Sequence, residues 1–239
     1  MPSFVFAQKD YTVLEDLINN MGIQWEEGKR ILFNGTLRAH VRKLDLPFAN
    51  NCASAERAYT NSPDKGDHIF LGWLCGCPGI MGLYWKGIDY GNIKTLSIAL
   101  SGSQNITLEN LLLDMLKRKI LSRFVMNNGG EESLINNVRF LEESFNKSRA
   151  VFPKKNAIPM LEVFFSGRKK FKFDGQVMTT PMDLANYLQL YADKSKDALS
   201  KKIQPLFQDD YNFDPYFEAW IIMQGFQREL ERWKTRFQE

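Results

Sequence analysis

Apolar residues recur at helical spacing along most of the chain, and this period constrains the fold more than any other feature. The clearest run is 105–126, in which acidic residues stand early and basic residues late, as the helix dipole favours. Its apolar stripe comprises Leu108, Leu111, Leu112, Met115, Leu116, Ile120 and Phe124. We therefore expect a helix over 105–126, with this stripe buried.

The same spacing predicts further helices, whereas two other segments show patterns that are not typical of an exposed helix. Helices are expected over 11–21, 26–44, 52–59, 131–149, 181–192, 194–207 and 215–237. Alternation in 93–100, set against 82–86 across a turn-like 89–92, predicts a small β-hairpin. The run 161–165 reads as a short strand or buried segment. The predicted fold class is mainly α, with a small β-hairpin.

Breaker residues and terminal aromatics suggest a division of the chain. The sequence Asn-Asn-Gly-Gly at 127–130 is interpreted as a hinge between two helical lobes. The predicted parts are an extended N-terminal arm (1–10), an N-terminal lobe (11–126), a C-terminal lobe (127–213) and a C-terminal helix or arm (214–239). Candidate contacts between subunits are Phe4, Phe6, Trp220 and Trp233. Packing of these segments on their own lobes is the alternative.

Length and composition exclude several classes of protein. The chain has 239 residues, of which 44% are hydrophobic, enough for a sizeable core. It contains no run of about 18 apolar residues, so no transmembrane span is expected. Its first residues lack the basic and apolar regions of a signal peptide. Three cysteines are too few for a disulfide framework, and we expect a cytoplasmic protein.

The sequence offers little support for catalysis or for a bound metal. The segment 22–29 resembles a phosphate-binding loop only briefly, because its spacing and residues differ from that motif. The carboxylates of Asp64, Asp67 and Glu162 are too scattered to define a nuclease site. Zinc ligation is conceivable for one set, but its spacing fits no common zinc module: Cys52, His68, Cys75 and Cys77. We expect buried core thiols, no metal, no cofactor and no enzymatic activity.

Because the net charge is only +3, any argument for an anionic partner depends on where the cations lie. Basic residues cluster in 29–43, 117–123 and 147–172. The third cluster includes Lys154 and Lys155 and contains only one acid, Glu162. A groove between the lobes that gathers these clusters would follow a phosphate backbone, with aromatic side chains stacking on bases. Solvated helix faces are the alternative interpretation.

Several short stretches, in their order along the chain, resemble the nucleoproteins of orthobunyaviruses. They are Phe4-Val5-Phe6, Lys29-Arg30-Ile31-Leu32-Phe33-Asn34, Arg38-Ala39-His40-Val41-Arg42-Lys43, Tyr84-Trp85, Asn105 to Leu111 and Leu161 to Gly167. The segment 45–80, which contains Cys75-Gly76-Cys77-Pro78, departs from the family's pattern. The resemblance implies a two-lobed helical protein that binds single-stranded RNA without sequence preference, in the host cytoplasm and the virion.

By position, the resemblance also implies which residues contact RNA. They are Arg30, Arg38, Arg42 and Lys43 in the first lobe, Lys117, Lys119 and Arg123 near the hinge, and Arg168, Lys169 and Lys170 in the second lobe. It further implies homo-oligomers joined by their terminal arms. The competing hypothesis is a small helical interaction or inhibitor module that uses its C-terminal amphipathic helix.

Overall fold

The computed structural model describes residues 3–102, 105–146, 156–208, 212–230 and Arg232. Most of them are helical. The helices are α1 (Leu14–Ile23), α2 (Trp25–Phe33), α3 (Thr36–Val41), α4 (Leu46–Asn61), α5 (Gly66–Cys75), α6 (Ile93–Gly102), α7 (Ile106–Arg118), α8 (Leu121–Asn127), α9 (Glu132–Asn146), α10 (Ala157–Ser166), α11 (Pro181–Ala192), α12 (Lys196–Ile203) and α13 (Pro215–Met223). Short 3₁₀ turns lie at Pro63–Lys65 and Gln204–Leu206.

The described strands form three antiparallel two-stranded hairpins. They pair β1 (Phe4–Phe6) with β2 (Lys9–Tyr11), β3 (Tyr84–Trp85) with β4 (Ile88–Asp89), and β5 (Phe171–Phe173) with β6 (Gln176–Met178). The predicted fold class, mainly α with a small β-hairpin, is confirmed.

The three hairpins share one design. Each turns through two residues of positive φ, the geometry of a tight two-residue hairpin turn: Ala7 and Gln8, Lys86 and Gly87, Asp174 and Gly175. Each is followed within a few residues by a helix, and the fourth helical residue is a buried leucine in every case: Leu17, Leu96 and Leu184. The chain thus uses one hairpin–helix arrangement three times.

The chain divides into two compact units with boundaries unlike the predicted ones. Unit 1 comprises Met1–Leu96 and Arg118–Ile135, and unit 2 comprises Ser97–Lys117 and Asn136–Glu239. The expected hinge at 127–130 lies inside unit 1. There the Asn127 and Asn128 side-chain amides donate to the carbonyls of Cys75 (2.9 Å) and Ile80 (2.8 Å). The Asn-Asn-Gly-Gly sequence therefore ends α8 and anchors it within unit 1.

The N-terminal segment is a hairpin and not an extended arm. Phe4 pairs with Tyr11 and Phe6 with Lys9, and both phenylalanine side chains are buried. The Phe4 ring lies 4.8 Å from the ring of His40, centroid to centroid. The arm prediction was wrong because the positive-φ turn at Ala7 and Gln8 reverses the chain without a glycine to signal it.

The segment 93–100, predicted as a strand, is a helix, and the run 161–165 is a buried helical segment, which agrees with one of its two predicted alternatives. In α6, the Asn92 side chain accepts hydrogen bonds from the backbone N–H groups of Lys94 (3.0 Å) and Thr95 (3.2 Å), as in a helix cap. The hairpin partner of β3 is therefore β4. The run 161–165 lies in α10, whose apolar side chains are mostly buried. Over so few residues, apolar spacing fits a helix as well as a strand, so periodicity misled the assignment of 93–100.

Three expected long helices are interrupted where the backbone takes a positive φ. Gly35 (81°) separates α2 from α3, Lys119 (56°) lies between α7 and α8, and Gly225 (85°) follows the end of α13. The helix over 181–192 is confirmed as α11, where the Thr180 hydroxyl and the Asp183 carboxylate form a capping box.

Candidate nucleic-acid interface

Of the four RNA contacts predicted in the first lobe, the two that lie in α2 and α3 form ion pairs within the chain. Arg30 forms an ion pair with Glu27 one helical turn away, and Nε of Arg38 lies 3.0 Å from the Glu56 carboxylate of α4. Arg42 and Lys43 are exposed and form no ion pair with any residue that the structure describes. The cluster 29–43 therefore offers fewer available cations than its sequence suggests.

The junction of α7 and α8 carries three more of the predicted contacts. Lys117, Lys119 and Arg123 are exposed and form no ion pair within the described ranges. Lys117 belongs to unit 2, whereas Lys119 and Arg123 belong to unit 1. The positive φ of Lys119 breaks the helix between them.

In unit 2, the segment after α10 carries Arg168, Lys169 and Lys170. Hydrogen bonds to its backbone hold this segment against the α13 region. The Lys169 carbonyl accepts hydrogen bonds from the Trp220 indole (3.1 Å) and the Gln224 amide (3.2 Å) of the α13 region. Arg168 lies 3.8 Å from the Glu162 carboxylate, a long and weak ion pair. The Lys169 and Lys170 side chains are exposed. Lys154 and Lys155 lie outside the described residues.

The predicted oligomerisation residues that the structure describes are buried in their own units. Phe4 and Phe6 pack within unit 1, as described above. Trp220 is 1% exposed and stacks at 5.3 Å on Phe171 of β5. These side chains are not available as free arms. Trp233 lies outside the described residues.

One predicted contact, Arg123, lines a surface pocket between α4, α5 and α8, which we call the Arg123 pocket. It encloses about 360 Å³. Its lining residues are Asn51, Ser54, Ala55, Ile69, Gly72, Trp73, Gly76, Cys77 and Arg123. The walls are thus apolar or glycine, and the rim carries an amide, a hydroxyl and a guanidinium.

The Arg123 pocket is electropositive. A second guanidinium lies next to the lining residues, because Arg57 donates a hydrogen bond to the Ser54 hydroxyl (3.3 Å). No carboxylate lines the pocket in the part of the chain that the structure describes. The nearby Glu56 of α4 is paired with Arg38. The positive charge at the rim is therefore available to an anion.

Three buried thiols, those of Cys52, Cys75 and Cys77, lie near this pocket. Burial raises the pKa of Cys52 and of Cys75 to about 12 and holds the pKa of Cys77 well above its usual value. They are therefore protonated at neutral pH, as core thiols are, and are poor nucleophiles and metal ligands. Among the described residues, no group of three or more His, Cys, Asp or Glu side chains is placed to hold a metal ion.

A second pocket of unit 1, the Asp67 pocket, lies between α2, α4 and α5. It encloses about 480 Å³ and is lined by Glu26, Lys29, Arg30, Phe33, Asn34, Tyr59, Pro63, Asp64, Gly66 and Asp67. The rings of Phe33 and Tyr59 stack at 4.1 Å on one wall. Asp67 organises another wall of the pocket, because its carboxylate accepts hydrogen bonds from Lys29 (2.7 Å) and from the Trp25 indole (2.9 Å).

These contacts set the charge state of the Asp67 pocket. Partial burial alone would raise the pKa of Asp67, but the hydrogen bonds from Lys29 and Trp25 outweigh it and lower the pKa to about 2. Lys86 adds a second cation, 3.4 Å from the same carboxylate. Both the carboxylate and the Lys29 ammonium are thus fully charged at neutral pH and already neutralise each other.

Sequence reasoning missed Asn51, Ser54 and Trp73, which line the pocket with Arg123, and Arg57, which contacts Ser54. One signal was present: Asn51, Ser54 and Arg57 recur every third residue along α4, which places them on adjacent turns. Which helix that face would meet was not readable from the sequence.

Comparisons of this chain with protein-family models, with curated proteins and with solved structures give no match. Within the described ranges, every helix is too short or too polar to cross a membrane.

Proposed function

We propose that this chain is a non-enzymatic, nucleocapsid-type protein that binds single-stranded RNA without sequence preference and self-associates along it in the cytoplasm. Binding depends on unpaired lysine and arginine side chains that contact backbone phosphates. Such contacts release counterions and carry no sequence information, which suits a protein that coats RNA.

The observation that supports this proposal is the presence of exposed cations with no carboxylate partner among the described residues. In unit 1 these unpaired cations include Arg42, Lys43, Arg57, Lys119 and Arg123. In unit 2, Lys117, Lys169 and Lys170 have the same character. The indole of Trp73 forms part of the wall beside Arg123 and offers apolar surface for a base.

Self-association is the second part of the proposal, and three of the four residues expected to mediate it, Phe4, Phe6 and Trp220, are not free for it. Because Phe4, Phe6 and Trp220 are buried in their own units, copies bound side by side on one strand would meet through other surfaces. Cooperative binding and a protected footprint that lengthens in equal steps would identify such coating.

The alternative function, a protein interaction module built on the C-terminal helix, gains little from the described part of that helix. In α13, Phe217, Ala219, Trp220, Ile221 and Ile222 are buried. α13 packs on α10 of its own unit, and the Tyr216 hydroxyl donates to the Glu162 carboxylate of α10 (3.1 Å). Its apolar side chains are therefore already occupied.

Binding of a labelled oligo-U strand, measured by fluorescence anisotropy at about 50 mM salt, tests the proposal. We expect saturable binding, a similar affinity for oligo-A, and loss of binding as salt rises. Ribonuclease digestion of the complex on a long transcript should leave protected fragments of regular length. A chain that takes up neither strand at low salt would contradict the proposal.

A further inference from the structure

We infer that the Arg123 pocket receives one nucleotide of the bound strand, its base inside the cavity and its phosphate at the rim. This inference rests on the proposed function and specifies where a base leaves solvent. The pocket lies in unit 1 and is built largely from 45–80, the segment in which the chain departs from the family it resembles.

The size and walls of the pocket suit a single base. Its volume of about 360 Å³ is near the lower end of the range of about 300–1,000 Å³ found for small-ligand sites. Ile69, Trp73 and Ala55 supply apolar surface, against which a flat heterocycle packs favourably.

Gly72 keeps part of the pocket free of side chains. It lies in the interior of α5, where glycine is unfavourable because the flexible backbone loses entropy. A Cβ atom added at Gly72 would meet only Cγ2 of Ile120, at 3.9 Å, which is ordinary contact. Packing within the described chain therefore does not require a glycine here, and its missing side chain leaves more of the pocket open.

The rim offers partners for both parts of a nucleotide. Arg123 and Arg57 suit a phosphate, since guanidinium groups bind its oxygens in pairs. The Asn51 side-chain amide carries both donors and an acceptor, so it can hydrogen-bond to the edge of any base. This accords with binding that does not select sequence.

The test fills the pocket without changing its charge. Gly72→Leu places an apolar side chain in the cavity, and Gly102→Leu is the matched control. Gly102 ends α6 in unit 2, and a Cβ atom there meets nothing within 4 Å. We expect Gly72→Leu to weaken oligo-U binding at least about 10-fold and Gly102→Leu to leave it within about twofold. Calorimetry with uridine monophosphate should show weak binding to the wild type and none to Gly72→Leu.

The outcomes separate the two proposals. If the wild type binds oligo-U and Gly72→Leu binds it equally well, the pocket inference is wrong and the proposed function stands. If the wild type binds uridine monophosphate in the pocket but no oligonucleotide, the proposed function is wrong and the nucleotide site stands.

Circular dichroism checks that the variants are folded. Should Gly72→Leu unfold, Ser54→Leu, on the exposed surface of α4, obstructs the same cavity and replaces it in the comparison.

Discussion

The Asp67 pocket and the Arg123 pocket both border α4 and α5, but they differ in whether their cations are paired with carboxylates. In the Asp67 pocket, Lys29 and Arg30 are held by carboxylates within 3.0 Å. In the Arg123 pocket, the rim arginines have no acidic partner among the residues that the structure describes. One pocket is internally neutralised, and the other remains available to an anion.

This difference shows that the density of basic residues along a sequence is a poor guide to anion binding. The cluster 29–43 is among the most basic of the chain, but Lys29, Arg30 and Arg38 are paired. A paired cation must give up its carboxylate before it can bind a phosphate, so it adds little net affinity. The unpaired cations are the ones we expect to matter.

The largest effect should come from removing unpaired cations. We expect the triple variant Arg42→Ala, Lys43→Ala, Arg123→Ala to bind oligo-U roughly 100-fold more weakly, at roughly 1 kcal/mol for each charged contact. Anisotropy titration at constant salt measures the change.

The matched control removes a paired cation together with its partner. The double variant Glu27→Gln, Arg30→Gln keeps the net charge and should bind oligo-U within about twofold of the wild type. A loss as large as that of the triple variant would show that pairing does not decide which cations bind.

A smaller effect is expected from Asp67→Asn, and it concerns stability. The change removes the charge that holds Lys29, whose side chain is only 19% exposed, and weakens the acceptor of the Trp25 indole. We expect a loss of about 1–3 kcal/mol in the free energy of unfolding, measured in urea. Asp64→Asn, in the same pocket and without a described partner, should change stability by less than about 0.5 kcal/mol. Equal losses in both variants would contradict the assigned network.

The smallest effect is a dependence of stability on acid. Because the pKa of Asp67 is lowered to about 2 in the folded chain, below its unfolded value, its contribution is fully present above about pH 4. That contribution is lost as pH falls through 2. The difference in unfolding free energy between the wild type and Asp67→Asn should therefore shrink between pH 4 and pH 2. A constant difference over that interval would refute this assignment.

The sequence predicted the helical character of the chain well, because apolar spacing is a local property. It failed where the backbone changes direction. The hairpin β5–β6 was overlooked although Asp174-Gly175 is a strong turn signal, and the hairpin β1–β2 turns at Ala7 and Gln8 with no signal at all. The chain passes from one unit to the other after Leu96, Lys117 and Ile135, and these positions depend on tertiary contacts that no local pattern reports.

The candidate site was predictable only in part. Arg123 was named from its position, but its neighbours come from α4 and α5, far away in the sequence. The ion pairs could not be predicted either, since Arg38 contacts Glu56 and Lys29 contacts Asp67 only when the helices pack together. Charge can be counted from a sequence, whereas its compensation requires the fold.

The most direct test of the central claim is the salt dependence of oligo-U binding, compared between the wild type and the triple variant Arg42→Ala, Lys43→Ala, Arg123→Ala. For single strands, each phosphate contact adds about 0.7 to the slope of log affinity against log salt. We therefore predict that the slope for the triple variant is shallower by about 2. Equal slopes for the two proteins would contradict the claim that these unpaired side chains hold the RNA backbone.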